Sequence, residues 1–173
     1  MPVSGDIKEY IPAPPEPDPL PTFEEAGVSE RASIAKDVPG TLVIVDKSSY
    51  TMEVFRDGRA VRRYGVAVGL NAGDKRRVGD MRTPEGEFPI VQIQNASDWT
   101  HDFRDGKGQV RGAYGPYFIR LGTPGWTGIG IHGTHAPASI GTNVTEGCIR
   151  LGNDDVAELR RIVKIGDKVI IRR

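Results

Sequence analysis

From Thr41 onward, short apolar runs alternate with clusters of Gly, Asp and Pro. Thr41-Leu42-Val43-Ile44-Val45-Asp46 is a β-branched run, and Tyr50-Thr51-Met52-Glu53-Val54-Phe55-Arg56 alternates roughly by two. Both patterns predict strands. Asp57-Gly58 then marks a tight hairpin into a returning strand at residues 61–69. Strand resumes at residues 88–93, where Pro89 argues for an edge or a bulge, because proline has no N–H to give a ladder. Residues 117–121, 128–132 and 168–171 read as further strands. A basic polar loop, Asp74-Lys75-Arg76-Arg77, and a long Gly- and Asp-rich segment at residues 94–116 interrupt them. Loops of the latter length are often lids or binding loops.

One helix is expected near the C-terminus. Asn153 is its predicted cap, with Asp154 and Asp155 in the first turn. Val156, Leu159 and Val163 recur at i, i+3 and i+7, and Gly166 is the predicted stop. Arg160, Arg161 and Lys164 suit the negative end of the dipole. The pattern shows no internal repeat. The expected class is mainly β with this one helix.

The first 40 residues differ in kind. Eight of the 13 prolines lie at or before Pro39, and residues 11–21 read as an extended, polyproline-like linker. Residues 1–40 hold three basic and eight acidic side chains, whereas residues 41–173 hold 20 basic and 15 acidic. The expected division is an acidic Pro-rich arm, residues 1–39, and a basic domain, residues 40–173. The arm is read either as a solvated leader or as a segment packing on the domain through Phe23 and Val28.

Composition narrows the function. Lys plus Arg and Asp plus Glu are both 23, so the formal net charge is zero. That balance argues against a nucleic-acid partner, which calls for a basic surplus. No apolar run approaches the ~20 residues of a membrane span. Cys148 is the single cysteine, so neither an internal disulfide nor a thiolate-rich zinc site is possible. Glycine, at 22 of 173 residues, predicts many tight turns. Met1 is followed by neither a basic nor an apolar leader pattern. The chain is therefore either cytosolic or an exported protein whose leader or anchor is absent from this sequence.

The chemistry concentrates in residues 131–151. Cys148 follows Gly147, which allows close backbone approach to a substrate carbonyl. A thiol of ordinary pKa needs a base to become a nucleophile. His132 lies 16 residues earlier at a strand end, and a loop of that length brings the two together at modest entropic cost. Taken alone, Cys148 is more readily a small buried apolar residue, and the flanking Gly, Arg and His-Gly shift the reading towards catalysis. His135 lies three residues after His132; with His132 and Cys148 it would make three zinc ligands, Glu146 then being the base, or it serves as a hydrogen-bonding residue. Arg150, two residues after Cys148, shares its face in a strand and would hold a carboxylate, brace the loop or lie at the surface. His101 reads as a solvated loop residue.

Residues 40–173 resemble the YkuD-type L,D-transpeptidase catalytic domain. The resemblance rests on Ile131-His132-Gly133-Thr134, Ile140-Gly141 and Thr145-Glu146-Gly147-Cys148-Ile149-Arg150-Leu151. Val66-Ala67-Val68-Gly69, Thr83-Pro84-Glu85-Gly86-Glu87-Phe88 and Tyr114-Gly115-Pro116-Tyr117 support it upstream. It implies a mixed, sandwich-like β fold with its site in a cleft under a mobile loop. It implies peptidoglycan stem peptides as substrate, no cofactor, and an exported location, periplasmic or wall-associated. It further implies Cys148 as nucleophile and His132 as acid–base, with the Gly133 carbonyl orienting the imidazole. Amides near Gly147 and Cys148 would bind the oxyanion, Thr145 would buttress the loop, and Arg150 occupies the family's Arg position. Many members carry His where this chain has Glu146. A carboxylate facing a thiolate opposes its ionisation, so Glu146 is expected to point away or to meet a substrate amine. Two other readings stay open: a zinc-dependent wall hydrolase using His132, His135 and Cys148, and a non-catalytic wall-binding module.

Overall fold

The computed structural model describes residues 28–173. The polyproline-like stretch and Phe23 lie outside the described residues, as does the side chain of Val28. Helix α1 (Val28–Ala35) leads into β1 (Thr41–Asp46), β2 (Thr51–Arg56) and β3 (Arg59–Gly65), an antiparallel meander. Asp57 and Gly58 both take positive φ, 48° and 81°, as the predicted hairpin requires. There follow β4 (Val68–Gly69), β5 (Gly86–Asn95), β6 (Thr100–Asp102), β7 (Gln109–Arg111), β8 (Tyr117–Leu121) and β9 (Gly130–His132). The chain closes with β10 (Asn143–Thr145), β11 (Ile149–Arg150), helix α2 (Asn153–Ile162) and β12 (Lys168–Arg172). Eight strands form one mixed sheet in the order β11-β9-β8-β5-β12-β1-β2-β3. Its two ends meet across one core: Val43 and Met52 of β1 and β2 cluster with Ile119, Ile131 and Ile149 of β8, β9 and β11, and with Val156 and Leu159 of α2. The architecture is the expected mainly β, sandwich-like one.

Strand β1, the predicted β-branched run, is buried along its whole length, because both of its faces are covered. Val43 and Val45 face the main core; Leu42 and Ile44 face a smaller cluster with Ala35 and Phe55. Helix α1 covers that second face, and it had no apolar stripe to reveal it. It docks through a charge. Arg31, 1% exposed, bonds Glu53 through Nε and Asp46 through a terminal nitrogen at 3.2 Å. Removing the cation would leave both carboxylates buried without it. Arg31→Ala is expected to lower unfolding stability by ~3–5 kcal/mol. A urea melt checks this; an unchanged midpoint would mean that α1 lies outside the cooperative unit.

Three expectations change and a fourth, the alternative at Pro89, is narrowed. Pro89 is not on an edge. Strand β5 pairs with β12 through Gly86 to Pro89 and with β8 from Ile90 onward, with a register shift between Ile90 and Gln92. Proline sits where the strand changes partner, next to that register shift, which is the bulge side of the expectation. The strand expected at residues 61–69 breaks after Gly65, because Ala67 turns aside to exchange both backbone hydrogen bonds with Arg150. Asn153 does not cap α2: Gly152 is the cap residue and no side chain serves it. The Asn153 amide oxygen instead accepts the Thr134 N–H at 2.8 Å. The helix ends at Ile162 rather than at Gly166, which lies at φ 96° in the turn to β12.

Candidate active site

Register places the reactive side chains. Strand β8 pairs with β9 so that Phe118 faces His132 and Arg120 faces Gly130. Strand β11 runs parallel to β9, with Arg150 opposite His132. Because side chains alternate along a strand, Phe118, His132 and Arg150 form one row on a single face. Cys148, one residue before β11, continues that face beside Gly130, in the row of Arg120. Cys148 and His132 are thus diagonal neighbours, and both line a cavity of about 810 Å³. A Cβ at Gly130 would collide with the Phe118 ring and the Ile119 carbonyl, so only glycine leaves that square of the face open.

His132 is buried, with Nδ1 at 2.5 Å from the Gly133 carbonyl oxygen. A carbonyl only accepts, so Nδ1 carries the proton and Nε2 keeps a lone pair. The ring stacks on Phe118 at 5.7 Å and 8°, and meets the Tyr114 ring edge-on at 5.0 Å. Burial pushes its pKa down to about 4; Arg150 acts in the same direction and the Gly133 hydrogen bond opposes. The Cys148 thiol donates to the Gly128 carbonyl at 3.2 Å. Burial pushes it up to about 11; the Gly130 backbone amide, Arg120 and Arg150 oppose the rise, and Glu146 adds to it. At neutral pH both groups are therefore uncharged.

That sets a measurable pH dependence. A raised thiol pKa means that the thiolate fraction climbs with every unit of pH through the range where a free cysteine levels off. Alkylation of the resting protein by iodoacetamide is expected to accelerate steadily from pH 7 to 10, with no plateau near 8.5. Glu146→Gln removes a like charge and should move the curve to lower pH. A plateau near 8.5 would contradict the raised pKa of this half-buried thiol.

Gly147 takes φ 135°, and a Cβ there would sit 3.0 Å from the Arg82 carbonyl oxygen. Thr145 clamps this tip, its hydroxyl donating to the Cys148 carbonyl at 2.7 Å and accepting the Gly147 N–H at 3.1 Å. The Gly147 amide is therefore committed to Thr145 and is not free for an oxyanion, contrary to the expectation that it would help bind one. Arg150 is buried and donates to the Ser139 hydroxyl at 3.0 Å, bracing the turn at Pro137–Ser139.

Residues 40–171 match the YkuD family, the L,D-transpeptidase catalytic domain. The chain belongs to the L,D-transpeptidase catalytic domain family. It is 34% identical over 131 residues to YkuD of Bacillus subtilis (strain 168), covering 76% of this chain and 65% of that protein. The chain thus spans just under two thirds of that relative's length. L,D-transpeptidase 3 from Mycobacterium tuberculosis, in complex with a faropenem-derived adduct, shares the fold with TM-score 0.60 at 22% identity, over 78% of this chain and 61% of that one. The helical cell shape determining protein Pgp2 (K307A mutant) from Campylobacter jejuni shares it with TM-score 0.62 at 23% identity, over 80% of this chain and 48% of that one.

In this L,D-transpeptidase domain the long segment at residues 94–116 carries an antiparallel hairpin, β6 with β7. His101 on β6 is no solvated loop residue. Its Nε2 lies 2.5 Å from the Glu146 carboxylate, and its Nδ1 accepts the Tyr114 hydroxyl at 2.9 Å. Burial, with Cys148 and Glu146 nearby, pushes the Tyr114 phenol up, so it keeps the proton it donates. Glu146 does not point away; it lines the cavity and ties the hairpin across it. His135 stands outside the cavity against Phe103, ring centres 5.1 Å apart. Among the described residues no three His, Cys, Asp or Glu side chains converge as metal ligands, so His132, His135 and Cys148 are not brought together as a zinc site would need. Among the described residues no helix is long and apolar enough to cross a membrane.

The sequence reading missed His101, Tyr114, Phe118, Arg120 and Asn153. Strand β8 itself was predicted, and Phe118 and Arg120 are its alternate residues. Which face meets the cleft depends on pairing with β9. Arg120 lies over the Phe118 ring at 4.9 Å and donates to Gln94 at 3.1 Å, which holds a cation next to the thiol.

Proposed function

We propose that this domain is a cysteine acyltransferase acting on peptidoglycan stem peptides. The observation that carries the reading is the diagonal Cys148–His132 pair on one sheet face, with the imidazole tied through Nδ1 to Gly133. As sulfur attacks the carbonyl of the diamino acid at position three, its proton passes to His132 Nε2. Because the resting pair is neutral, transfer accompanies attack rather than preceding it. The Cys148 amide is the donor assigned to the oxyanion, Thr145 holding that of Gly147. Collapse forms the thioester and breaks the peptide bond, the imidazolium giving its proton to the departing D-alanine amine. An acceptor amine from a second stem then attacks the thioester, giving a 3→3 cross-link and returning the thiol. Water as acceptor gives the tripeptide instead, and a free D-amino acid gives exchange. The scheme draws on protein groups alone and calls on no cofactor.

The cleft suits such a substrate. Arg120 and Arg150 offer cations for its carboxylates, and Glu146 offers an anion for an amine. A site for peptidoglycan must meet the wall, so we place the protein outside the cytoplasm, in a periplasm or at the cell wall. Incubation with purified disaccharide-tetrapeptide is the test. Cross-linked dimer or tripeptide, together with a covalent carbapenem adduct in the intact mass, is the expected result. Neither product nor adduct would favour a wall-binding module.

A further inference from the structure

We propose that Asn153 is a positioning residue for the catalytic imidazole, acting through a single peptide group in the place where other triads use a carboxylate. The inference rests on His132 as the base. The carbonyl that accepts His132 Nδ1–H belongs to the peptide joining Gly133 to Thr134. The N–H of that same peptide donates to Asn153 Oδ1 at 2.8 Å. A peptide unit is planar, so holding its N–H fixes where its C=O points. The Gly133 N–H, bonded to the Tyr114 carbonyl at 2.8 Å, fixes the preceding peptide. The acceptor for the imidazole is thus clamped from both sides.

The surroundings are built to admit the amide. A Cβ at Gly115 or at Gly133 would overlap Asn153 Oδ1, and the two glycines pack back to back around it. Gly115 also stands at φ 62°, in the left-handed region that glycine accepts most readily. The Asn153 side chain gives up the helix cap for this contact, although asparagine is among the best capping residues. Electrostatics adds to geometry. A hydrogen bond at the N–H end of an amide strengthens its oxygen as an acceptor, so the chain from Asn153 to Gly133 to His132 polarises toward the ring. When the imidazole takes the thiol proton, the Gly133 oxygen faces the new charge.

The test uses the full chain and the acylation of Cys148 by imipenem, followed against pH and concentration. Asn153→Leu, of similar volume, is expected to slow acylation ~10–100-fold with half-saturation unchanged, as for a catalytic group set slightly out of line. Asn153→Asp, which retains the acceptor oxygen, should recover most of the rate. Its ascending pH limb should move upward, because the carboxylate favours imidazolium. A wild-type rate in the Leu variant overturns the proposal. So does an equal fall in both variants with the pH limb unmoved, which marks packing alone. If thermal melting shows the Leu variant unfolded, the Asp variant decides: an upward limb supports the proposal and an unmoved one overturns it. His132→Gln run alongside separates the two readings. If it acylates normally, the assignment of the base has failed; if it is slow while Asn153→Leu is fast, only the positioning assignment has failed.

Discussion

Cys148→Ala will form no carbapenem adduct and will turn over no tetrapeptide. The expected loss is at least ~10⁴-fold, the scale of removing a covalent nucleophile. No other cysteine exists in the chain to take over. The substitution removes one sulfur from the cleft wall and the thiol's hydrogen bond to Gly128, so unfolding stability should fall by no more than ~1–2 kcal/mol. Intact mass with and without carbapenem reads the first effect and a urea melt reads the second. Cys148→Ser sharpens the test. A serine hydroxyl can use the same site, but it ionises far less readily than a thiol and is the weaker nucleophile. Residual adduct in the Ala variant would move the nucleophile elsewhere.

His132→Gln should slow Cys148 acylation by ~10²–10⁴-fold while leaving its final stoichiometry at one adduct per chain. The thiol remains, so the reaction still finishes; only the proton has lost its acceptor. The neutral resting pair gives the substitution a second signature. With no base to relay the proton, attack waits on free thiolate, and the rate should then rise with pH in parallel with iodoacetamide alkylation. In the parent protein the two curves should separate, because acylation also needs a proton delivered to the leaving nitrogen, whereas alkylation expels iodide, which needs none. A near-normal rate would direct attention to His101, the other imidazole lining the cavity, and not to His135, which stands outside it.

Much of this site was legible beforehand, for chemical reasons. A lone thiol after a glycine and a histidine at a strand end are rare reactive groups, and their identities survive any detail of packing. What could not be read were the partners. Glu146 was expected to point away or to meet a substrate amine, because a carboxylate facing a thiolate opposes its ionisation. The structure instead turns it toward His101, so the hairpin of β6 and β7 is fastened by the charge that seemed out of place. That contact spans 45 residues, and nothing local to either side chain announces it. Asn153 misled in the opposite way: it has the identity and position of a helix cap, and its acceptor was taken by a more distant N–H.

Hydrophobic patterning by itself determined that the chain is a run of strands with one helix near its C-terminal end, before the last strand. It placed the hairpin at Asp57-Gly58, the β-branched strand β1 and the apolar face of α2. Those features depend on burial and on backbone conformation, which leave a period in the sequence within a few residues. The order of the eight strands, the central place of β5 despite Pro89, and the docking of α1 by Arg31 came only with the folded chain. So did the rows that set His132 between Phe118 and Arg150. The reason is that register is a sum of pairings between distant segments, and each pairing is satisfied by backbone groups that every residue carries alike. The sequence supplied the thiol and the imidazole; strand pairing decided that they share a face.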